Sequence, residues 1–139
     1  MTTPLRAQTR DLPHAVPSEV TRPFWDACAR GELLFQRCER CEAITFPPSE
    51  HCRGCLARGQ VWEASAGRGV LYSWTVVHRP VTPAFEPPYA AAIVTLDEGY
   101  RMLTNIIDAA PDDLRADLPV QVAFRRTGND LWLPYFVPA

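Results

Sequence analysis

Two CxxC pairs constrain the fold of this chain more than any other feature of its sequence. They are Cys38-Glu39-Arg40-Cys41 and Cys52-Arg53-Gly54-Cys55, separated by ten residues. Two residues between cysteines let one tight turn aim both sulfurs at a single point, and two such turns supply the four tetrahedral ligands of structural zinc. The sequence therefore predicts a zinc site on Cys38, Cys41, Cys52 and Cys55, held in a small rubredoxin-like ribbon. Because four thiolates leave no coordination position for a substrate, the predicted zinc is structural and not catalytic.

Disulfides, a redox CxxC motif and buried free thiols are the alternative explanations of these cysteines. The first 20 residues contain prolines and arginines but no apolar run, so we expect no secretory signal and a cytoplasmic protein with reduced thiols. A thioredoxin-like motif follows a strand, opens a helix and does not come in two copies. Among the neighbouring residues, His51 is expected at the surface and Cys28, outside both pairs, in the core.

The length of 139 residues holds about one ordinary domain. After the ribbon, it leaves room for one small barrel or sandwich. The sequence is 47% hydrophobic and has no run near the roughly 18 apolar residues of a membrane helix. We therefore expect a soluble globular protein with no membrane association.

The charge of the chain argues against nucleic-acid binding. The formal net charge is −2, and the chain contains no lysine, so every basic side chain other than histidine is an arginine. Residues 1–79 hold ten arginines against eight acidic residues, whereas residues 80–139 hold four against eight. Phosphate neutralisation by basic residues supplies most non-specific affinity for nucleic acid, and the acidic second half does not favour it.

The N-terminal third is predicted to form an arm and a short helix. Pro4, Pro13 and Pro17 interrupt the first twenty residues, which we expect to be extended, or disordered in isolation. A helix is predicted over 21–31, with a capping hydroxyl, an early proline and a closing glycine. Phe24 and Trp25 give this helix more apolar surface than one solvated turn needs. Packing on the ribbon and docking on another protein carry equal weight as explanations, and we take both residues as candidate partner contacts.

Five strands are predicted after the ribbon. Hydrophobic alternation begins after Gly67-Arg68-Gly69, and the same face of the first strand would carry Val70, Tyr72, Trp74 and Val76. A proline-rich loop over 80–88 and a turn at Asp97-Glu98-Gly99 separate the next strands, predicted over 89–96 and 100–107. A helical turn over 111–114 precedes the last two strands, over 120–126 and 131–137. A short helix between the third and fourth of five strands is the order of an OB-fold, with an SH3-like barrel or a split sandwich as alternatives.

The order of several short motifs resembles the family long catalogued as domain of unknown function 35. The resemblance runs from about residue 21 to the C-terminus. Besides the CxxC pairs, it rests on Phe24-Trp25, Gly31-Glu32-Leu33, Phe46-Pro47-Pro48, Gly67-Arg68-Gly69-Val70-Leu71-Tyr72-Ser73, Pro88-Tyr89 and Leu96-Asp97-Glu98-Gly99. It implies a mainly β architecture with an N-terminal arm and short helix over 1–35, a rubredoxin-like zinc ribbon over 36–64 and a five-stranded OB-fold barrel over 65–139.

The two cysteine turns depart from the family's usual CPxCG form. Glu39 and Arg53 stand in place of proline, while Glu42 and Leu56 stand in place of glycine. All four cysteines are present, so the resemblance also implies that they are the metal ligands.

The resemblance implies an accessory subunit of a thiolase-superfamily enzyme. Family members look like subunits of thiolases, of acyltransferases and of the lipid-transfer-protein-like aldolases that shorten sterol side chains. We therefore expect a non-catalytic chain that binds such an enzyme in a hetero-oligomer, with two copies on a partner dimer, and that helps to bind or channel its acyl-CoA substrate. Arg68 and Arg79 are candidate contacts of the CoA phosphates, and Phe85 and Tyr89 are candidate residues of a pantetheine or acyl channel.

No motif of an independent catalytic site is found in the sequence. GxSxG, HExxH and a phosphate-cradling GxxxxGK[ST] are absent, and His14, His51 and His78 have no spacing that suggests a triad. Two other classes of function stay open as alternatives. A zinc ribbon with an OB-fold could bind single-stranded nucleic acid, with Tyr72 and Trp74 stacking on bases. A self-sufficient small hydratase or hydrolase is the other.

Overall fold

A short helix, a three-stranded ribbon and a closed barrel follow one another along the chain. The computed structural model describes residues 3–13 and 15–139, so His14 lies outside the described residues. The elements are α1 (Arg22–Ala29), β1 (Leu34–Cys38), β2 (Ile44–Thr45), β3 (Gln60–Ala64), β4 (Arg68–Val77), β5 (Tyr89–Leu96), β6 (Arg101–Ile106), a 3₁₀ turn (Pro111–Asp113), β7 (Pro119–Arg126) and β8 (Trp132–Pro138). Among the described residues, no helix combines the length and apolar character that crossing a membrane requires.

The barrel has the topology of the predicted OB-fold. Its strands run in the order β4-β5-β6-β8-β7, and pairing of β7 with β4 closes it. All neighbours are antiparallel except β6 and β8, which pair in parallel at Ile106 and Phe136. The 3₁₀ turn lies between the third and fourth barrel strands, as predicted. The closed five-stranded barrel confirms the OB-fold over the alternative sandwich.

A β-bulge in β4 corrects the predicted faces of this strand. The pairing with β5 shifts register between Leu71 and Ser73, so Tyr72 is the extra residue. Leu71 is fully buried, whereas Tyr72 is 51% exposed. A bulge inserts one residue and so exchanges the inward and outward positions beyond it. Tyr72 and Trp74 therefore do not share a face, although uninterrupted alternation predicted that they would.

An aromatic cluster joins the ribbon to the barrel in a single core. The ring of Tyr100, which precedes β6, lies 5.2 Å from Phe35 of the ribbon and 5.3 Å from Phe46. Phe46 in turn packs edge-on against Phe24 of α1, with ring centroids 5.7 Å apart. Cys28, on the same helix, is fully buried, as predicted. Because these rings come from three parts of the chain, their packing fixes the ribbon on the barrel.

The N-terminal arm is extended and lies against the chain's own barrel. Leu5 is fully buried, its backbone N–H donates to the carbonyl of Ala109 at 2.8 Å, and its carbonyl accepts from the N–H of Asp108 at 2.9 Å. Gln8 is also buried, and its N–H donates to the hydroxyl of Tyr135 at 3.0 Å. The expected extended conformation is present, and these contacts order it without another protein. The predicted boundaries at residues 35 and 64 stay predictions.

Candidate metal centre and junction pocket

The four predicted cysteine ligands converge on one point. Their sulfurs all lie within 4.8 Å of one another, with Cys38 Sγ 3.7 Å from Cys55 Sγ and Cys41 Sγ 3.5 Å from Cys52 Sγ. Zn–S bonds of about 2.3 Å would place the sulfurs of a regular tetrahedron about 3.8 Å apart. The arrangement fits a structural zinc site, which joins the turn after β1 to the loop between β2 and β3. Zinc at this site would cross-link the two turns, and with four thiolate ligands it would have no open coordination position for catalysis.

The two turns repeat one hydrogen-bond pattern around the first cysteine of each pair. The N–H of Arg40 donates to Cys38 Sγ at 3.4 Å, and the N–H of Gly54 donates to Cys52 Sγ at 3.2 Å. The backbone N–H groups of Cys41 and Arg40, that of Cys41 most strongly, lower the pKa of Cys38. The same arrangement, led by the N–H of Cys55, lowers the pKa of Cys52 to about 6. Both thiols are therefore prepared to act as thiolate ligands.

Non-glycine residues occupy the left-handed positions that end both turns. Glu42 has φ 66° and Leu56 has φ 64°, and these are the residues that stand where the family usually has glycine. The N–H of Glu42 donates to the carbonyl of Cys38 at 3.0 Å, and that of Leu56 to the carbonyl of Cys52 at 2.9 Å. The turns thus keep a glycine-like conformation without glycine, at a cost in backbone strain.

An apolar cavity of about 410 Å³ opens where the arm, α1, the ribbon and the barrel meet. We call it the junction pocket, and its lining residues are Gln8, Leu12, Phe24, Trp25, 46–48, Phe85, 102–105 and 133–135. No charged side chain is among these fifteen described residues. Parts of the arm, α1, the ribbon, the proline-rich loop, β6 and β8 therefore build one uncharged pocket.

The structure brings together three residues that the sequence assigned to two different roles. Phe24 and Trp25, predicted as partner contacts, and Phe85, predicted for an acyl channel, all line the junction pocket. Phe24 is only 5% exposed because it packs on Trp25 and Phe46 inside its own chain. Trp25 keeps part of its surface open. Tyr89 lies next to Phe85, with ring centroids 5.8 Å apart.

The two predicted phosphate contacts are far from each other. Arg68 is the first residue of β4, whereas Arg79 lies two residues beyond the end of this ten-residue strand. Both side chains belong to exposed residues. An extended strand rises about 3.3 Å per residue, so roughly 30 Å of strand separates the two positions. Only Arg79 lies at the end of β4 from which the loop to Phe85 and Tyr89 starts.

Gln8 and Leu103 are among the residues of the junction pocket that were not predicted from the sequence. Gln8 holds the proline-rich loop, because its side-chain Nε2 donates to the carbonyl of Glu86 at 3.1 Å and its Oε1 accepts from the N–H of Glu86 at 2.7 Å. Leu103, in the middle of β6, is 73% exposed at the rim of the pocket. Strand alternation could have placed Leu103 outside the barrel, but nothing local marks Gln8 as a contact of a loop 78 positions away.

A second, polar cleft of about 590 Å³ separates the ribbon from the turn between β5 and β6. Arg37, Arg53 and Arg101 line it together with Glu42 and Glu98. Arg37 forms an ion pair with Glu63 at 3.0 Å, and the guanidinium of Arg101 lies 3.8 Å above the ring of Tyr72. The mixture of charges makes this cleft close to neutral, and we assign no ligand to it.

Comparisons with known proteins match the chain to two family models that adjoin within β3. Residues 25–60 match the family of ChsH2 rubredoxin-like zinc ribbon domains, and residues 62–125 match the family of ChsH2 C-terminal OB-fold domains. A chain of the solved Ltp2-ChsH2(DUF35) aldolase superposes with a TM-score of 0.82 at 34% sequence identity, covering 90% of this chain and 98% of that one.

Curated relatives resemble the chain over most of its length. A DUF35 domain-containing scaffold protein of Methanocaldococcus jannaschii is 34% identical over 100 residues, which are 70% of this chain and 71% of that protein. A probable enoyl-CoA hydratase alpha subunit of Thermomonospora curvata is 38% identical over 117 residues, which are 84% of this chain. The match covers only 37% of that hydratase subunit, so the chain spans little more than a third of its length.

Proposed function

Because the chain belongs to the DUF35 family of ChsH2-type proteins, which join a rubredoxin-like zinc ribbon to an OB-fold, we propose that it is an accessory subunit of a thiolase-superfamily enzyme. In this role it binds the enzyme in a hetero-oligomer, with two copies on a partner dimer, and helps to bind or channel an acyl-CoA substrate in the cytoplasm. The zinc site and the barrel give it a rigid shape, and the chemistry belongs to the partner.

The similarity to a chain of the Ltp2-ChsH2(DUF35) aldolase carries this proposal. The superposition includes nearly all of that chain, so the similarity is not limited to a generic barrel. The relative from Thermomonospora curvata, named as a probable enoyl-CoA hydratase alpha subunit, supports an acyl-CoA substrate. A hydratase alpha subunit of Mycobacterium tuberculosis, whose name specifies 3-oxo-4,17-pregnadiene-20-carboxyl-CoA, is 31% identical over 107 residues and supports a steroid acyl group in the substrate.

The residues proposed for the partner contact are Phe24 and Trp25. Phe24 contributes by holding Trp25 in place, because the two rings pack edge-on with centroids 5.1 Å apart. Trp25 offers the open surface. Since tryptophan is enriched among the residues that dominate binding energy, we expect Trp25 to contribute a large share of the binding free energy.

The residues proposed for acyl-CoA are Arg68, Arg79, Phe85 and Tyr89. The phosphates of one CoA molecule lie close together, so a single molecule uses either Arg68 or Arg79. We favour Arg79 because it shares an end of the barrel with Phe85 and Tyr89. A guanidinium there can grip a phosphate with two hydrogen bonds.

The test of the proposed function is affinity purification of the tagged chain from its native host, followed by mass spectrometry of the proteins that elute at constant ratio. We expect a thiolase-like enzyme at a stoichiometric amount. Trp25→Ala should reduce the recovered partner at least about tenfold, while Val81→Ala, which changes an apolar residue that is 88% exposed and lines none of the pockets described above, should not. Recovery of the chain with no stoichiometric enzyme would contradict the proposal.

A further inference from the structure

The junction pocket has the composition of a binding site for a hydrocarbon group. Its fifteen described lining residues include no charged side chain, and aromatic rings of Phe24, Trp25, Phe46 and Phe85 form much of its wall. An uncharged wall offers no interaction that would offset the free energy of desolvating a phosphate or carboxylate. Transfer of an apolar group from water into the pocket is favourable. The occupant that fits this pocket is therefore uncharged and apolar.

The polar groups in the pocket are mostly engaged already. Gln8 bonds to the backbone of Glu86, the hydroxyl of Thr104 donates to the carbonyl of Pro134 at 2.9 Å, and the hydroxyl of Tyr135 accepts from the N–H of Gln8. Within the described residues, the side-chain amide of Asn105 is the lining amide with no such bond. The pocket thus offers one free amide against an apolar wall, which suits a hydrocarbon that carries a single carbonyl.

The size of the pocket favours a small molecule over a side chain of a partner protein. A cavity of about 150 Å³ is filled by benzene, which is the size of a phenylalanine ring. One aromatic anchor would therefore leave more than half of the 410 Å³ empty. Pockets for small molecules begin at about 300 Å³.

We propose that the junction pocket of this chain binds the apolar acyl group of an acyl-CoA, with the thioester carbonyl near Asn105 and the charged nucleotide outside the pocket. The inference rests on the proposed function, since that function supplies the acyl-CoA. It goes further in one respect: the acyl group binds to the accessory chain itself, so this chain selects for acyl length and polarity.

The test is calorimetric titration of the isolated, zinc-loaded chain with free CoA and with acetyl-, butanoyl-, hexanoyl- and octanoyl-CoA. Each methylene transferred from water into an apolar site strengthens binding roughly fourfold. We expect affinity to rise steadily along the series, and octanoyl-CoA to bind at least about tenfold more tightly than acetyl-CoA. An affinity that is equal along the series, or that does not exceed that of free CoA, overturns the inference.

A matched pair of variants locates the binding. Leu103→Trp places a large side chain at the rim of the pocket, and since Leu103 is 73% exposed, the change leaves the core intact. Val81→Trp adds the same side chain at an exposed position that does not line the pocket. Leu103→Trp should weaken octanoyl-CoA binding at least about tenfold and Val81→Trp should not. Equal effects of both variants would contradict the assignment to this pocket.

Failure of the inference and failure of the proposed function give different results. If the isolated chain shows no dependence on acyl length but Leu103→Trp abolishes recovery of the partner enzyme, the pocket is a docking site for protein, and the inference is wrong while the proposed function stands. If octanoyl-CoA binds in the pocket but no enzyme is recovered, the proposed function fails.

Discussion

Gly69 lies where β4 pairs with strands on both of its sides. It pairs with Leu96 of β5 on one side and with Val120 of β7 on the other, at the point where the barrel closes. A Cβ atom at this position would overlap the carbonyl oxygen of Thr95. The obstacle is backbone, which cannot rotate away, so the position requires glycine.

Gly69→Ala should therefore destabilise the protein by about 3 kcal/mol, at the upper end of the usual cost of overpacking. Ser73→Ala is the control, because it makes a small change at an exposed position of the same strand. Chemical denaturation followed by circular dichroism measures both. A Gly69→Ala variant as stable as the parent would show that β4 and β5 can separate at little cost.

At the left-handed residues of the zinc turns, we expect a substitution to increase stability instead of decreasing it. Leu56 has φ 64° and is 73% exposed, so Leu56→Gly relieves backbone strain and loses little burial. We expect a gain of about 1 kcal/mol in the free energy of unfolding. Leu103→Gly is the matched control, since Leu103 is equally exposed but lies in a regular strand, where glycine costs about 0.5–1 kcal/mol. If both variants lose stability in thermal unfolding, the strain assigned to the turn is wrong.

At the scale of elements, local sequence patterns predicted every barrel strand to within a few residues. Alternation and turn residues are local signals, and the strands at 89–96 and 120–126 follow them directly. The bulge at Tyr72 escaped prediction because a register shift depends on the partner strand. The packing of the arm on the barrel was not predicted for a similar reason, because the contacts that order Leu5 and Gln8 come from residues a hundred or more positions away.

The link between the arm and the proline-rich loop can be broken by one substitution. Gln8→Ala removes both side-chain bonds to the backbone of Glu86 and should cost about 1–2 kcal/mol locally. Hydrogen exchange of the Glu86 amide should accelerate roughly tenfold, with little change in the midpoint of global unfolding. Gln121→Ala, at an exposed position of β7, is the control. Unchanged exchange at Glu86 would mean that the loop is held by other contacts.

At the scale of the whole molecule, the ribbon and the barrel share one core. Rings of Phe35 and Phe46 from the ribbon side pack on Tyr100, which belongs to the barrel side. Burial raises the pKa of Tyr100, since its hydroxyl lies away from water. Domains that share a core unfold together and not one after the other.

Removal of zinc should therefore affect the barrel as well as the ribbon. Chelation should lower the melting temperature by at least about 10 °C, because the free energy of metal binding contributes to folding. Hydrogen exchange in ribbon peptides and barrel peptides should rise together near the new midpoint. A barrel that keeps its original melting temperature after zinc is removed would show two independent units. Added zinc should restore the parent behaviour.

The metal centre was predictable from the sequence, whereas the junction pocket was not. Each CxxC pair is a local turn, and two pairs close together specify their four ligands without knowledge of the fold. The pocket needs Leu12 of the arm, Trp25 of α1, Pro47 of the ribbon and Leu133 of the barrel to meet. No local sequence pattern shows that these residues lie together in the fold. The aromatic residues were therefore predicted as separate contacts, and the pocket that they share was not predicted.

The closure of the barrel also has a consequence for the order in which the protein is made. Pairing of β4 with β7 joins residues about fifty positions apart, so the barrel cannot close until most of the second half of the chain is present. The two cysteine turns, in contrast, are complete once residue 55 has been synthesised. On the ribosome, the chain emerges N-terminus first. The nascent protein therefore presents a complete set of zinc ligands before its barrel exists, and it can acquire the metal during translation.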